Sequence, residues 1–358
     1  MLRTSSIPVL CLLQSAILSA CEEVPRSADT PEFAADMAFI VITSPQGAVR
    51  TTNIWLASLD GRSQSFYQPW VCDSRSPDVS PDGRRVLYQS CDWARSPGEP
   101  DEIYVADPRE LLPRRLTRNV FKDECPHWAP DGRRIAFQSD RTGTMQVFVM
   151  DDTGGHPTQV THLPEPCRIG GWSPDGGTIA FCSSVSGTSG RYGQILTVAS
   201  SGGGERQLTT GPGEKSDPAW SPTGTEIAFL QEGNVYRIGA SGGASTLVAQ
   251  AGDSIIAPLE WSPDGRFLFF TLAEGGRTDV CRVTREGTDL RTLTSGSVSA
   301  LHPAVLRDWE ELAYVEYFSL YQKVMLMDFE GYGRRQLTSL RANETGPVGR
   351  RWTSTGRK

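Results

Sequence analysis

The chain has 358 residues, 38 % of them hydrophobic and 22 % charged, with 35 Lys+Arg against 42 Asp+Glu and a formal charge of −7. That is enough apolar material for a large core and too little net charge for a disordered chain. The acidic balance excludes a generic nucleic-acid binder, which carries a basic footprint, and 36 Gly with 24 Pro favour turns and strands over long helices.

Residues 1–20 read as an export signal. Arg3 precedes an apolar run from Ile7 to Leu18, shorter than the roughly twenty residues needed to span a bilayer. The run ends in Leu18-Ser19-Ala20-Cys21, which resembles the bacterial lipobox. The resemblance implies cleavage before Cys21 and lipidation of its thiol. Acyl chains at ~0.8 kcal/mol per buried CH₂ would hold the protein on the non-cytoplasmic side of a membrane, in the periplasm, at the outer membrane or on the cell surface. Residues 21–36, with Pro25 and Pro31, read as a flexible tether, and 37–358 as the folded domain.

The domain opens with three β-like runs, around Phe39, Trp55 and Phe66. A pentapeptide then recurs: Val79-Ser80-Pro81-Asp82-Gly83, Trp128-Ala129-Pro130-Asp131-Gly132, Trp172-Ser173-Pro174-Asp175-Gly176, Trp220-Ser221-Pro222-Thr223-Gly224 and Trp261-Ser262-Pro263-Asp264-Gly265. Each copy is a tight turn: Pro fixes φ, Asp suits the next corner and Gly takes the left-handed exit. A β-run such as Ile135-Ala136-Phe137 follows, then a second run such as Val147-Phe148-Val149, a Gly hairpin and a short strand closing on Leu-Thr or Val-Thr, as at Leu116-Thr117 and Val160-Thr161. Four hairpin-linked strands per unit make an antiparallel meander. A worn copy begins at His302-Pro303-Ala304-Val305, and Arg351-Trp352-Thr353-Ser354 mimics the start of another. The expectation is all-β: a seven-bladed β-propeller of four-stranded antiparallel blades, the first closed by the C-terminal strand, so that no long edge is left exposed.

The unit W-S-P-D-G-x-x-I-A-F … I-Y-V … G-G … L-T is similar to the TolB-type (WD40-like) propeller repeat and runs through essentially the whole chain after residue 36. The resemblance implies an envelope propeller. It implies no single chemistry, because the family holds binding scaffolds, peptidase gating domains and a lyase branch.

Catalytic motifs are read down by context. Gly239-Ala240-Ser241-Gly242-Gly243 fits G-x-S-x-G but falls in a strand-to-strand hairpin with no helix after it. Gly211-Pro212-Gly213-Glu214-Lys215-Ser216 hints at a phosphate loop, yet has Glu where Walker A needs Gly. No cofactor motif appears. The Asp of each turn, Asp82, Asp131, Asp175 and Asp264, is read as turn chemistry, and the motif tryptophans as inter-blade packing.

The loops feeding the innermost strands are acidic: Asp73, Asp78, Asp123, Glu124, Glu165, Asp217, Asp253 and Glu260, with His127 and His302 on the strands themselves. Convergence at the channel mouth would attract cations, Ca²⁺ included, or a basic peptide. Asp140-Arg141 is read as a local ion pair. Cys72, Cys91, Cys125 and Cys167 map to the same face and are expected to form at least one disulfide, whereas Cys182 and Cys281 are expected as buried thiols. The functional expectation is a lipid-anchored, non-catalytic scaffold binding an envelope protein or peptide through this face, without nucleic acid. The alternative is a carbohydrate-active lyase or hydrolase with its site in the channel.

Overall fold

The computed structural model describes residues 37–46, 49–58, 64–66, 73–91, 100–107, 110, 112–187, 190–250, 254–296, 298–306, 310–317 and 322–337. The signal, Cys21, the tether, Cys72, Asp253 and the closing strand expected around Trp352 lie outside the described residues.

Three strands come first: β1 (Met37–Gln46), β2 (Val49–Ser58) and β3 (Gln64–Phe66). Six four-stranded blades follow in chain order. Blade 1 is β4 (Asp73–Val79), β5 (Val86–Cys91), β6 (Glu102–Ala106) and β7 (Arg114–Arg115). Blade 2 is β8 (Asp123–Trp128), β9 (Arg134–Ser139), β10 (Gln146–Asp151) and β11 (Thr158–Gln159). Blade 3 is β12 (Cys167–Trp172), β13 (Thr178–Gly187), β14 (Gly190–Ala199) and β15 (Arg206–Gln207). Blade 4 is β16 (Lys215–Trp220), β17 (Glu226–Gln231), β18 (Asn234–Gly239) and β19 (Thr246–Ala249). Blade 5 is β20 (Ser254–Trp261), β21 (Phe267–Glu274), β22 (Arg277–Thr284) and β23 (Arg291–Thr292). Blade 6 is β24 (Ser299–Leu306), β25 (Glu311–Tyr317), β26 (Gln322–Asp328) and β27 (Arg335–Gln336). Within each blade the pairing is an antiparallel meander.

The blade count corrects the sequence expectation: the described residues form six blades, not seven. The N-terminal copy does not make a separate blade. β1–β3 join β4–β7 in one seven-stranded sheet, through a parallel contact between β2 and β4 at Thr52 and Asp73. The physical reason is in the copy itself. It lacks the turn pentapeptide and an innermost strand of its own, so nothing local sets a new sheet, and its strands add to the nearest open edge.

Recurring residues explain the recurring geometry. In the turns that carry Asp its carboxylate binds the loop: Asp175 Oδ1 accepts from Ser173 Oγ at 2.5 Å and from Gly177 N at 2.9 Å, and Asp264 from Ser262 Oγ at 2.6 Å. These hydrogen bonds hold Asp175 below the usual carboxylate range. The Thr of each Leu-Thr or Val-Thr accepts from a strand N–H at 2.9 Å, Thr117 from Ile103, Thr161 from Val147, Thr209 from Ile195 and Thr294 from Val280. The short outer strand is thereby locked onto its neighbour.

The core lies between blades rather than inside any one. Leu87, Ile103 and Val105 of blade 1 pack with Trp128, Ile135 and Phe137 of blade 2, and burying such a side chain is worth about 1.5–3 kcal/mol. Trp172 Nε1 donates to His127 O and Trp261 Nε1 to Ala219 O, both at 3.1 Å, so the motif tryptophans do join blades. Gly154, at φ 87°, is the hairpin glycine of blade 2. A Cβ there would lie 2.5 Å from Leu116 O of blade 1, so both the conformation and the close approach require glycine.

Candidate functional site

The innermost strands β4, β8, β12, β16, β20 and β24 follow one another around the axis, and each breaks register at the same level. The shifts fall at Arg75/Asp78, Glu124/His127, Ile169/Gly171, Ser216/Ala219, Ile256/Glu260 and Leu301/Ala304. Four bulges carry a non-glycine residue in the left-handed region, Ser76 (50°), Cys125 (50°), Asp217 (54°) and His302 (54°), each immediately before a proline. Such a residue costs on the order of 1 kcal/mol or more and persists only when its surroundings hold it.

At three of the four the preceding blade holds the bulge, and it holds the β12 bulge in the same way. Cys125 N donates to Gln89 Oε1 at 2.8 Å, Ile169 N to Gln138 Oε1 at 2.7 Å and His302 N to Thr271 Oγ1 at 3.1 Å. The Asp217 N–H donates to Cys182 in the same way. Sequence reading missed this latch. Its signal is a polar or thiol side chain directly after the apolar triplet of four blades, at Gln89, Gln138, Cys182 and Thr271, where blade 4 has Leu230.

The expected acidic residues divide. Asp78 and His127 come together, with His127 Nδ1 4.0 Å from Asp78 Oδ2, and the same oxygen accepts from Trp128 N at 2.6 Å. Asp123 is fully buried and gripped by Arg141 Nη2 at 2.9 and 3.0 Å and by Asn119 Nδ2 at 2.7 Å. Arg141 therefore pairs across the blade with Asp123 rather than with Asp140, whose Oδ1 takes the Lys122 N–H at 2.9 Å. Glu165 is ion-paired with Arg191, and Asp217 accepts from Ser216 Oγ at 2.6 Å. Glu124 and Glu260 stand half-buried on β8 and β20, and Asp73 opens β4. Two of the expected acids, Asp123 and Glu165, are thus neutralised by arginines of the same chain. Among the described residues, no three His, Cys, Asp or Glu side chains gather as a metal-holding group.

Burial lowers the His127 pKa to about 4, so the ring is neutral at pH 7, and its Nε2 is buried without a hydrogen-bond partner. Burial also lowers that of His302. His156 lies 3.0 Å from Asp151, and His162 lies 3.6 Å from Glu205, both at the outer edge of their blades. Among the described residues no disulfide joins Cys91, Cys125 and Cys167. Cys182 and Cys281 are buried thiols, pushed up by burial to about 12 and about 11.

The two catalytic look-alikes are structural. Gly242 N donates to Gly239 O at 2.8 Å, closing the hairpin into β19. Lys215 Nζ turns inward onto the carbonyls of Gly211, Pro212 and Gly213 at 3.2, 2.9 and 2.8 Å, sealing its own loop. Two grooves of about 350 and 340 Å³ open on the opposite face, beside the turns of blades 5 and 1. The first is lined by Asp264, Arg266, Phe267 and Arg285, the second by Asp82, Arg84, Arg85 and Arg114. Both lie away from the bulge ring.

Comparison with known proteins agrees with this architecture. Residues 98–208 match the Tricorn protease N-terminal beta propeller domain, and residues 166–301 match the TolB beta propeller domain. The uncharacterized peptidase YuxL of Bacillus subtilis is 29 % identical over 90 residues, 25 % of this chain and 14 % of YuxL. A protein TolB homolog of Chlorobium luteolum is 40 % identical over 50 residues, 14 % of this chain and 12 % of that protein. The matches thus span a small part of either relative. The propeller domain of the Trilobed protease from Pyrococcus furiosus, described as having an open velcro topology, aligns with a TM-score of 0.65. It is 14 % identical and the alignment covers 85 % of this chain and 94 % of that one, a likeness of fold.

Proposed function

Starting from a propeller that carries the TolB-type repeat, we propose that this protein is a cell-envelope scaffold that binds a protein or peptide segment at the loop-bearing mouth of its channel. A lipidated Cys21 tethers it on the non-cytoplasmic side of a membrane. The observation that carries the reading is the bulge ring. At one level of the inner strands, different blades offer unlike side chains, among them Glu124, the exposed Arg168, Asp217 and His302. Four of the strands beneath, β8, β12, β16 and β24, are fixed by a latch from the preceding blade. A rigid ring of unlike groups suits the reading of a partner's side chains, because little is lost to ordering when the partner docks. The export-like residues 1–20 and the TolB likeness support an envelope location.

The test is capture from native membranes. The full mature chain is expected to retain a defined protein partner, and Arg168→Glu with Asp217→Asn to lose it while melting normally. Turnover of polysaccharide or peptide by the purified chain, with no partner dependent on Arg168, would overturn the reading in favour of an enzyme. The likeness to peptidase propellers supports a second reading, a propeller that serves a peptidase active centre on another domain. That reading predicts a captured partner with peptidase activity.

A further inference from the structure

We propose that the loop 118–122, which joins blades 1 and 2 on the mouth face, is a preformed docking prong for a partner segment carrying acidic and apolar side chains. The inference rests on the scaffold reading and gives the partner a chemistry. Val120 is 83 % and Phe121 40 % exposed, two adjacent apolar side chains held in water on a loop that has three of its five backbone N–H groups bonded to side chains. Asn119 N donates to Glu102 Oε1 at 2.7 Å, Phe121 N to Asn119 Oδ1 at 2.7 Å and Lys122 N to Asp140 Oδ1 at 2.9 Å. Asn119 Nδ2 is tied in turn to Asp123, which Arg141 grips from the far side. The loop is therefore held on both sides of Val120 before any partner arrives, which lowers the ordering cost of docking.

The same bonds decide the sign of the charge on offer. Glu102, Asp123 and Asp140, the carboxylates hydrogen-bonded to the loop, are turned to its own groups or to Arg115 and Arg141. Arg118 and Lys122 are exposed and form no ion pair among the described residues. Arg168, exposed on β12, extends the same sign along the mouth. A chain of net charge −7 thus presents, at this loop, two exposed cations flanking an apolar pair. The complementary segment is acidic and apolar, and charge of opposite sign both steers its approach and fixes its register.

The experiment is a fluorescence-anisotropy titration of the full mature chain with a short labelled peptide alternating Glu with Leu and Phe, against the same peptide with Lys for Glu. The Glu peptide is expected to bind more tightly than the Lys peptide. It should weaken at least about tenfold in Arg118→Glu/Lys122→Glu and in Val120→Ser/Phe121→Ser, and the charge reversal should favour the Lys peptide. Equal affinity for both peptides, or binding that neither variant changes, would overturn the proposal. So would a loss, in the same variants, of sedimentation with phosphatidylglycerol vesicles or of self-association, since these assign the prong to a bilayer or to a second copy. If the Ser variant melts early, the charge reversal decides alone. Capture that depends on Arg168 and Asp217 but not on this loop would sink the prong and leave the scaffold standing.

Discussion

The contact between blades 1 and 2 and the contact between blades 4 and 5 use the same slot with opposite polarity. In blade 1 the residue just before the second strand is Arg85. It reaches Asp152 of blade 2 at 2.8 Å and Gly132 O at 3.1 Å, and its guanidinium lies 4.5 Å over the Trp128 ring. In blade 4 the same position is Glu226, which takes Arg285 of blade 5 at 2.6 Å and Arg237 of its own blade. At these two contacts the slot carries a charge of opposite sign, each matched by the next blade, whereas blade 3 has Thr178 and blade 5 has Phe267 at that position.

Breaking the blade 4–5 pair has the largest expected effect. Glu226 is buried, and Glu226→Ala leaves two arginines without their shared carboxylate, for a loss of about 3 kcal/mol in denaturant unfolding. Burial works upward on this carboxyl, and Arg285 and Arg237 outweigh it and hold the pKa below the ordinary value. The contribution is therefore present above the unfolded value and fades as pH falls through the lower folded one. The wild type and the variant should converge below about pH 4.

The two contacts also differ at the innermost strand, where blade 2 has His127 and blade 4 has Ala219. The His127 pKa of about 4 lies below its unfolded value. The unfolded chain therefore binds the extra proton between about pH 6.5 and pH 4, and stability drops across that window and levels beneath it. The drop is about 3 kcal/mol at most, and His127→Gln should remove it from the melting profile. A smaller loss, about 1–2 kcal/mol, is expected for Gln138→Ala, which strands the buried Ile169 N–H. Smallest of all, Arg85→Asp with Asp152→Arg should recover about 1 kcal/mol relative to the two single variants, measured as a double-mutant cycle. No recovery would show that Arg85 acts through Trp128 and Gly132 O rather than through Asp152.

The repeat unit, its turn chemistry and the packing role of the tryptophans were legible in the sequence because each is a local event repeated many times. The Asp of the turn satisfies N–H groups only two residues away, and so recurs with the turn. The blade count was not legible. Whether a three-stranded copy stands alone or adds to its neighbour depends on an edge contact between Thr52 and Asp73 that leaves no mark in the pattern. The candidate site was legible in its members and not in their state. Asp123 and Glu165 read as exposed acids, and each is met by an arginine from a different stretch of its neighbourhood, Arg141 or Arg191.

By itself the sequence determined a meander of four-stranded units, their order and the face that bears the long loops. These follow from turns and hydrophobic runs that fold within one unit of chain. Tertiary structure alone decided the six blades, the latch from Gln138 to Ile169 and the reversed pair at Glu226, because each joins groups one blade apart. It also decided which charges face outward at the mouth, since a carboxylate buried against an arginine is electrically absent from the surface that its sequence position suggests.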